Sequence, residues 1–234
     1  MIVKLRSVCK DYEQGGNPVP ALRNVDLDVE QGEYLAIMGP SGSGKTTLMN
    51  ILGYLDVPTS GTYLLDGVDN SNAGDAEMAR VRNQCIGFVF QTFNLLPRQK
   101  TWENVALPLS FRRIPRRQRR EMAAEALERV GLIDRIDYFP TQLSGGQCQR
   151  AAIARAICTK PKLLLADEPT GALDSRSGLQ IMEIFEGLHE EGATIIVITH
   201  EMGVAKRTNR IMNISDGILT AGAFSAHTEG GDIK

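Results

Sequence analysis

The chain has 234 residues, of which 42% are hydrophobic and 23% charged, and its formal net charge at pH 7 is −2. That length can bury a sizeable core and suits one large or two small domains. The near-neutral charge argues against nucleic-acid binding through a basic surface. The sequence lacks the apolar run of about 18 residues that a membrane span needs, and it does not begin with a signal peptide. We therefore expect a cytosolic protein that does not bind nucleic acid.

The cysteines are scattered along the chain, at Cys9, Cys85, Cys148 and Cys158. None forms a C-x-x-C pair or lies near a histidine at the spacing of metal ligands. Thiols of a cytosolic protein stay reduced. We interpret these four as structural residues.

The first part of the chain predicts a small antiparallel β piece, because apolar residues alternate near positions 3–5 and 25–29. A buried strand follows over residues 34–38, and then a Gly-rich loop and a helix over residues 46–55. Residues 58–61 predict a turn. Further buried strands are predicted at residues 86–90, 162–166 and 193–198. Strands that alternate with helices in this way indicate an α/β fold.

The stretch from residue 100 to 140 differs from the rest, because strand patterns are missing there and residues 119–130 are rich in Glu, Ala, Leu and Arg. This composition predicts helices inserted between two core strands. From residue 223 onward the sequence has no periodicity and predicts a flexible tail. We expect a core of residues 1–91 and 159–222, a helical insert at about 92–158, and a tail at 223–234.

The Gly-rich loop at residues 39–46 reads Gly-Pro-Ser-Gly-Ser-Gly-Lys-Thr and fits the phosphate-loop pattern G-x-x-x-x-G-K-[ST]. The glycines let backbone N–H groups face phosphate oxygens, and the next helix points its positive end at the same anion. Lys45 supplies charge for the β- and γ-phosphates, and the Thr46 hydroxyl suits Mg²⁺. The predicted nucleotide contacts of this region are Gly39, Ser41, Gly42, Ser43, Gly44, Lys45, Thr46 and Thr47.

Two carboxylates end the buried strand predicted at residues 162–166. In phosphate-loop ATPases a strand of this kind supplies an Asp for Mg²⁺, and Asp167 fits that role. Side chains alternate along an extended chain, so we expect Glu168 to point elsewhere. Its position suits a general base that polarises the attacking water.

A second anion site is predicted at residues 143–147, which read Leu-Ser-Gly-Gly-Gln. Ser144 can cap a helix that starts near Gln147, and Gly145 and Gly146 leave the amides before it uncovered. One bound ATP does not need two such sites in a single chain. These five residues resemble the signature of the ATP-binding cassette (ABC) ATPases.

The resemblance to ABC ATPases extends from residue 1 to about residue 222. It implies an α/β fold, with a phosphate-loop ATPase core, an N-terminal antiparallel β piece and an inserted α-helical subdomain. In that family two subunits stack head to tail, and each ATP is held between one subunit's phosphate loop and the other's signature. The implied assembly is a homodimer around two ATP molecules. The signature contacts it implies are Ser144, Gly145, Gly146 and Gln147.

Other motifs of the family map onto single residues of this sequence. Tyr12 resembles the aromatic residue that stacks on adenine, and Asp174 resembles the loop that crosses the dimer interface. Gln91 resembles the glutamine that reaches Mg²⁺ and the attacking water, and His200 resembles the switch histidine that contacts the γ-phosphate. The resemblance thus implies an ATPase with ATP and Mg²⁺. Its implied catalytic residues are Glu168, His200 and Gln91, and its implied magnesium ligands are Thr46, Gln91 and Asp167.

Within the family, residues 38–45, 55–61 and 167–174 resemble the MacB-like and lipoprotein-release group. Members export macrolides or peptides, release lipoproteins, or drive cell-wall remodelling. The chain has no membrane segment, so the resemblance implies a separate transmembrane permease of the FtsX/MacB-like type, with a periplasmic or extracellular adaptor in some systems. We expect a peripheral ATPase on the cytoplasmic face of the cell membrane that drives export of peptides or macrolide-like compounds.

Two alternatives stay open on the sequence. One is the ATPase of a lipoprotein-release complex or of a cell-division or cell-wall regulatory complex, in which ATP drives mechanical signalling. The other is a soluble ABC protein of translation or DNA repair. Proteins of that second class usually carry two cassettes, or long coiled-coil or zinc insertions, and this sequence shows neither.

Three further features of the sequence suggest hypotheses about contacts with the permease, contacts with the membrane and redox sensitivity. Residues 93–97, which follow Gln91, are candidates for a groove that receives a helix of the permease. The arginine run at residues 112–120 is either a solvated surface or a contact with an anionic membrane leaflet. Cys148 lies just past the signature and is a candidate for oxidation-sensitive dimerisation.

Overall fold

The structure, a computed structural model, describes residues 1–69, 71 and 73–225. Its strands are β1 (Val3–Gln14), β2 (Asn17–Val29), β3 (Tyr34–Met38), β4 (Ser60–Leu65), β5 (Val68–Asp69), β6 (Ile86–Val89), β7 (Leu163–Asp167), β8 (Ile195–Thr199), β9 (Arg210–Ser215) and β10 (Ile218–Ser225). Its helices are α1 (Lys45–Leu52), α2 (Asp75–Cys85), α3 (Thr101–Val105), α4 (Leu107–Ser110), α5 (Arg116–Arg129), α6 (Gly145–Ile157), α7 (Ser175–Glu190) and α8 (Met202–Ala205). Short 3₁₀ turns cover Ile133–Arg135 and Pro140–Gln142.

The strands form two sheets. One is four-stranded and antiparallel, in the order β2-β1-β4-β5, and the other is six-stranded, in the order β10-β9-β3-β8-β7-β6. Strands β9, β3, β8, β7 and β6 run parallel, and β10 pairs antiparallel with β9. The carboxyl ends of β3, β6, β7 and β8 therefore meet at one edge of the second sheet. In open α/β sheets, ligands bind outside this edge.

The central strands β3, β7 and β8 of the six-stranded sheet are buried on both faces, so they are continuous apolar runs rather than alternating ones. Successive residues of β3 face opposite cores: Tyr34, Ala36 and Met38 pack with the inserted helices, and Leu35 and Ile37 pack with α1 and the antiparallel sheet. The neighbouring strands β7 and β8 divide their side chains in the same way. The sheet is thereby fixed from both sides, and the loops at its carboxyl edge start from rigid strands.

The helical insert lies between β6 and β7 in the chain, and its helices α3, α5 and α6 pack against one another. Helix α5 buries Ala123, Ala126 and Leu127 on one face, while its other face carries charged residues. Helix α6 is buried along most of its length and also packs on β6 and α7. It is therefore the element that connects the insert to the sheet.

The predicted α/β fold with an antiparallel β piece and inserted helices is confirmed, and several boundaries differ from the prediction. The helix predicted over residues 46–55 ends at Leu52, because Gly53 follows, where a Cβ would lie 2.3 Å from the Phe88 ring. The antiparallel β piece is longer than expected, since β1 and β2 form a hairpin that turns at Gly15 and Gly16.

Helix α2 was not predicted, because only Val81 is buried on it and its apolar pattern is weak. Strand β10 continues to Ser225, three residues into the predicted tail. The rest of that tail, residues 226–234, lies outside the described residues. Within the described ranges, no helix has both the length and the apolar character that crossing a bilayer requires.

Candidate functional site

The phosphate loop lies between β3 and α1, where the chain must turn sharply. Gly42 and Gly44 adopt left-handed φ angles of 77° and 105°, which favour glycine. A Cβ at Gly39 would lie 2.2 Å from the carbonyl oxygen of Ile214. Glycine is thus required at these three positions, and the pattern that predicted the loop has a steric cause.

Two polar groups of this loop suit an anion. Among the described residues, the buried hydroxyl of Ser43 is one of the few side-chain oxygens without a hydrogen-bond partner. The Lys45 ammonium donates to the carbonyl oxygens of Gly39 at 2.8 Å and Pro40 at 2.6 Å, which holds its charge across the loop. Helix α1 begins at Lys45 with free backbone amides and no acidic residue in its first turn. The loop therefore presents donors and positive charge to one point.

A cavity of about 810 Å³ opens at the loop and extends along the carboxyl edge of the parallel strands. The predicted site residues in its lining lie up to 159 positions apart in the sequence, from Ser41 to His200. The predicted site residues that line it are Ser41, Gly42, Gly44, Lys45, Thr46, Thr47, Gln91, Asp167, Glu168 and His200. The strand topology thus brings together the phosphate loop, the acidic strand end and the histidine.

Glu168 and His200 are in direct contact in this cavity. The His200 Nδ1 lies 2.6 Å from one Glu168 carboxylate oxygen, and the His200 backbone N–H donates to the same oxygen at 3.1 Å. The Thr199 hydroxyl donates to the other oxygen at 3.2 Å. The end of β8 therefore holds the Glu168 carboxylate from both sides.

The orientation of Glu168 has a different cause from the one expected. Strand β7 ends at Asp167, and Glu168 adopts a left-handed φ of 45° rather than continuing the extended chain. A non-glycine residue in this region is strained, and such strain clusters at functional sites. The turn aims the Glu168 side chain toward β8, away from Asp167.

Charges in the cavity shift the pKa values of two of its groups. The hydrogen bond and the charge of Glu168 raise the pKa of the His200 imidazole above its usual 6.5. Burial raises the pKa of Asp167, with a further rise from Glu168, while the nearby Lys45 opposes both. The site is therefore an electrostatically coupled group rather than a set of independent side chains.

The predicted magnesium ligands offer oxygen atoms around one part of the cavity. Thr46, Gln91 and Asp167 all line it, and hydroxyl, amide and carboxylate oxygens suit a hard cation. Over residues 1–69, 71 and 73–225, no cluster of three or more His, Cys, Asp or Glu side chains could hold a metal ion. The donor set thus fits a cation that substrate phosphates also coordinate.

The signature region lies apart from this cavity, since none of residues 143–147 is among its described lining. Ser144 caps α6: its hydroxyl accepts from the Gln147 N–H at 3.3 Å, and the Gln147 amide oxygen accepts from the Ser144 N–H at 2.9 Å. The cap was expected from the sequence. Helix α6 starts at Gly145, two residues earlier than predicted; Ser144 and Gly145 are exposed, and Gly146 and Gln147 are half-buried.

Four other predicted contacts also lie outside the lining of the cavity: Gly39 and Ser43 of the phosphate loop, Asp174 and Tyr12. Asp174 caps α7, with its carboxylate accepting from the Ser177 N–H at 3.0 Å and hydroxyl at 2.7 Å, and these bonds lower its pKa. Tyr12 lies on β1 with 40% of its surface exposed, and its phenol donates to Asp56 at 2.9 Å. Thr47 lines the cavity and affects the pKa of this phenol, so Tyr12 stands at the border of the cavity.

Sequence reasoning missed Gln149, a fully buried side chain of α6. Its amide donates to the carbonyl oxygen of Pro169 at 2.8 Å and to that of Phe90 at 3.3 Å. Pro169 directly follows Glu168, and Phe90 directly precedes Gln91. The available signal was a polar residue on the buried face of an Ala-rich helix.

Arg155 of α6 was missed as well. Its guanidinium donates to the carbonyl oxygens of Phe93 and Asn94, and burial lowers its pKa. Asn104 of α3 is also fully buried. Its side-chain oxygen accepts from the Leu96 backbone N–H at 2.6 Å, and its side-chain amide donates to the Leu96 carbonyl at 3.1 Å. The segment after Gln91 is therefore fastened to the helical insert at both ends.

A second cavity, of about 890 Å³, lies between α2, β6, α4 and α6. Phe88 and Phe90 line it with rings stacked at 5.3 Å between centroids, and Phe111 on its border is 74% exposed. Of the predicted groove residues 93–97, Asn94 lines this cavity and the other four do not. The apolar groove is thus built mainly by elements other than the predicted segment.

The arginine run makes contacts within the protein. Arg112 donates to backbone carbonyls at the end of α2 and after α6. Arg116 and Arg120 each lie 5.4 Å from the centre of the Trp102 ring, and together with Arg117 they pair with carboxylates. These contacts favour an intramolecular surface network over a lipid-binding patch.

Cys148 is buried, and its thiol donates to the Pro140 carbonyl at 3.6 Å. Burial raises the pKa of this thiol, so the reactive thiolate is disfavoured. A protonated, buried thiol is a poor target for oxidants. The structure therefore argues against the hypothesis of oxidation-sensitive dimerisation.

Comparisons with known proteins agree with this geometry. The family model described as ABC transporter matches residues 22–171. The uncharacterized ABC transporter ATP-binding protein YvrO of Bacillus subtilis (strain 168) is 54% identical over 93% of this chain and 95% of its own length. The macrolide export ATP-binding/permease protein MacB of Brucella melitensis is 49% identical over 92% of this chain, which spans 33% of that protein.

Solved structures show the same architecture. A dimeric structure of a post-hydrolysis state of the ATP-binding cassette MJ0796, bound to ADP and Pi, matches with a TM-score of 0.85 and 44% identity. The match covers 93% of this chain and 96% of that one. CbiO1 from Clostridium perfringens, part of the ABC transporter complex cbiONQ, matches with a TM-score of 0.83 and 28% identity, over 93% and 86% of the two chains. The chain therefore belongs to the ABC transporter family, as a nucleotide-binding, ATP-hydrolysing subunit.

Proposed function

We propose that ATP binds with its phosphates in the cavity at the phosphate loop. The loop amides and Lys45 hold the β- and γ-phosphates, and the partnerless Ser43 hydroxyl supports an anion at this point. Thr46, Gln91 and Asp167 hold Mg²⁺ from the cavity wall. When bound, Mg²⁺ neutralises phosphate charge during transfer. Residues 1–222 act as one ATPase domain, with the helical insert at about 92–158.

Glu168 is proposed as the general base for hydrolysis. Its carboxylate accepts a proton from the water that attacks the γ-phosphorus, and the leaving oxygen of ADP departs in line. His200 holds this carboxylate and contacts the γ-phosphate. The observation that carries the proposal is the 2.6 Å contact between Glu168 and His200 inside the cavity.

The second half of each ATP site is proposed to come from another copy of the chain. Ser144, Gly145, Gly146 and Gln147 form a partly exposed helix start that suits an anion but lies outside the cavity. A head-to-tail homodimer places this helix start on the partner's γ-phosphate, with Asp174 at the interface and Tyr12 on adenine. The dimeric MJ0796 cassette supports the arrangement.

The motion of the dimer is proposed to act on a separate transmembrane permease at the cytoplasmic face of the membrane. The apolar groove with Phe88, Phe90 and Phe111 suits one amphipathic helix of that permease. Asn94 belongs both to the groove and to the segment after Gln91, so a helix in the groove is coupled to the ATP site. The resemblance implies a periplasmic or extracellular adaptor in some systems of this group, and co-purification with the permease tests for one here.

Export of macrolide-like compounds or peptides is the proposed transport activity. It rests on the MacB relatives, which are macrolide export ATP-binding/permease proteins and of which this chain spans about a third. Co-expression with the permease and ATPase assays with macrolides, peptides and lipoproteins test it. Stimulation by macrolides or peptides supports export, and stimulation by lipoproteins alone identifies a lipoprotein-release system instead.

The variant Glu168→Gln tests the hydrolytic role directly. The amide keeps the shape of the side chain but cannot accept the proton, so turnover falls by about 100-fold or more while ATP still binds. Light scattering should then show an ATP-dependent dimer. Substitution of Glu186, a surface carboxylate paired with Arg207, by Gln is the control and should leave turnover unchanged. Full turnover in Glu168→Gln would remove Glu168 from the role of base.

A further inference from the structure

A small charged network surrounds Tyr12 on β1. The Tyr12 phenol donates to one carboxylate oxygen of Asp56 at 2.9 Å, and the Lys10 ammonium binds the other at 2.6 Å. Lys10 also donates to the Val57 carbonyl at 2.9 Å. Its ammonium lies over the Tyr12 ring, 5.0 Å from the ring centre. The ring is therefore fixed at its hydroxyl end and covered by a cation on one face.

Asp56 belongs to the same rigid segment as the phosphate loop. Helix α1 starts at Lys45 and ends at Leu52, and the backbone N–H of Asp56 returns to the Asn50 carbonyl at 3.2 Å. Thr47 on α1 is near enough to oppose the rise in the pKa of the Tyr12 phenol that burial and Asp56 cause. Tyr12 is thus tied through Asp56 to the segment that follows α1, the helix that begins at the phosphate loop.

The Asp56 carboxylate is well suited to this task. Its side chain is 25% exposed, and Lys10 and Tyr12 lower its pKa against the opposing effect of burial, so it remains charged. A charged acceptor makes a stronger hydrogen bond to a phenol than a neutral one. Without it the phenol loses its charged acceptor, and the Tyr12 ring is free to turn about its side-chain torsions.

We infer that Asp56, with Lys10, is a positioning residue for nucleotide binding. It holds the Tyr12 ring so that its uncovered face stands at a fixed distance from the phosphate loop, ready for the adenine base. The inference rests on the proposed role of Tyr12 as the adenine platform. It assigns Asp56 to the base half of the site, although Asp56 touches neither base nor phosphate.

A purely structural role for Asp56 predicts something else. The ion pair of Arg6 and Asp28, at 2.8 Å, also joins β1 to a neighbouring segment and lies away from Tyr12. If Asp56 contributed only to stability, Asp56→Ala and Asp28→Ala would have the same effect. Both would lower the free energy of unfolding and leave the nucleotide affinity unchanged. The two carboxylates therefore form a matched pair for an experiment.

The experiment measures ADP binding by calorimetry, because ADP keeps the base and lacks the γ-phosphate that closes the dimer. Asp56→Ala and Tyr12→Phe should each weaken ADP binding by about fivefold, the value of one hydrogen bond. The double variant should lose no more than either single variant, because both remove the same bond. Asp28→Ala should bind ADP like the wild type. Asp56→Leu, which has a similar side-chain size and no hydrogen-bond acceptor, serves if Asp56→Ala melts early.

Inorganic triphosphate is the probe without a base, used as a competitor of ADP. Its affinity should be unchanged in Asp56→Ala, since the phosphate loop is intact. Wild-type ADP affinity in Asp56→Ala, or a loss that adds to that of Tyr12→Phe, would overturn the inference. Equal weakening of triphosphate binding would assign Asp56 to the phosphate loop instead. If Tyr12→Ala binds ADP like the wild type, the adenine role of Tyr12 itself fails.

Discussion

The cavity at the strand ends and the start of the signature helix are both anion sites, but the chain completes only the first of them. In the cavity, Glu168, His200 and Lys45 converge from separate loops, and their charges are coupled. At the signature, the Ser144 hydroxyl is engaged in its own helix cap and the glycines face no group of the cavity. This difference is the ground for our proposal that catalytic chemistry is built within one copy and that the signature acts on another.

Replacement of His200 tests whether the cavity carries the catalytic chemistry. His200→Ala removes the imidazole that holds the Glu168 carboxylate, and kcat should fall by about 100-fold or more. ADP affinity should stay within twofold of the wild type, because the phosphate loop is untouched. Steady-state ATPase assays and calorimetry measure the two quantities. Retained turnover in this variant would place the acid–base chemistry elsewhere.

Replacement of Arg155 tests the link between the signature helix and the segment after Gln91. Arg155→Met leaves the carbonyls of Phe93 and Asn94 without their donor, so the free energy of unfolding should fall by about 1–3 kcal/mol. Hydrogen exchange at residues 93–97 should rise more than in α7. Urea unfolding and exchange mass spectrometry measure both. Uniform exchange across the chain would show that Arg155 contributes only to global stability.

Loss of the Ser144 cap separates the two functions of the signature. Ser144→Ala should lower the free energy of unfolding by about 1 kcal/mol, the usual value of a helix cap. Glu103→Ala, which removes the bond that caps α3 at the Lys100 N–H, is a control at a residue with no proposed role in ATP binding or dimerisation. The dissociation constant of the ATP-dependent dimer should rise more in Ser144→Ala than in the control variant, because only Ser144 is proposed to contact the partner's ATP. Equal dimerisation in wild type and Ser144→Ala would limit Ser144 to the cap.

The pairing of Glu168 and His200 should appear in the pH titration of His200. Its pKa is raised in the folded protein, so the stabilising contact is fully present below about pH 6.5 and is lost as pH rises through the raised value. Proton NMR of the ring, assigned with His200→Gln, measures the midpoint. In Glu168→Gln the midpoint should move down toward 6.5. An unchanged midpoint would mean that Glu168 does not hold the imidazole.

Much of this site followed from local sequence, because glycine placement and helix caps are local effects. The phosphate loop was predicted from Gly39 to Thr46, and the Ser144 cap from its neighbours in the chain. The contact of Glu168 with His200 spans 32 positions and depends on a left-handed turn at Glu168, so no local sequence pattern predicts it.

The missed residues share that property. Gln149 and Arg155 act on carbonyls about 60 positions earlier in the chain, and Asp56 acts on Tyr12 across 44 positions. A single sequence shows that such residues are polar and where they lie on an element. It does not show which distant backbone or side chain they meet, since that depends on how the sheets and helices pack.

The most direct test of the composite site mixes two inactive variants. Lys45→Ala disables the phosphate loop. Gly145→Asp places a negative charge at the signature, where a Cβ would meet only Leu173 at 3.5 Å and Phe93 at 3.9 Å, so the fold tolerates it. A mixed dimer of the two keeps one intact site, built from the normal loop of one copy and the normal signature of the other.

The measurement is ATP hydrolysis by each variant alone and by their equimolar mixture. Each variant alone should be inactive, and the mixture should recover about a quarter of wild-type turnover, since half of the dimers are mixed and each has one of two sites. A mixture as inactive as its components would contradict the claim that two copies of the chain share each ATP.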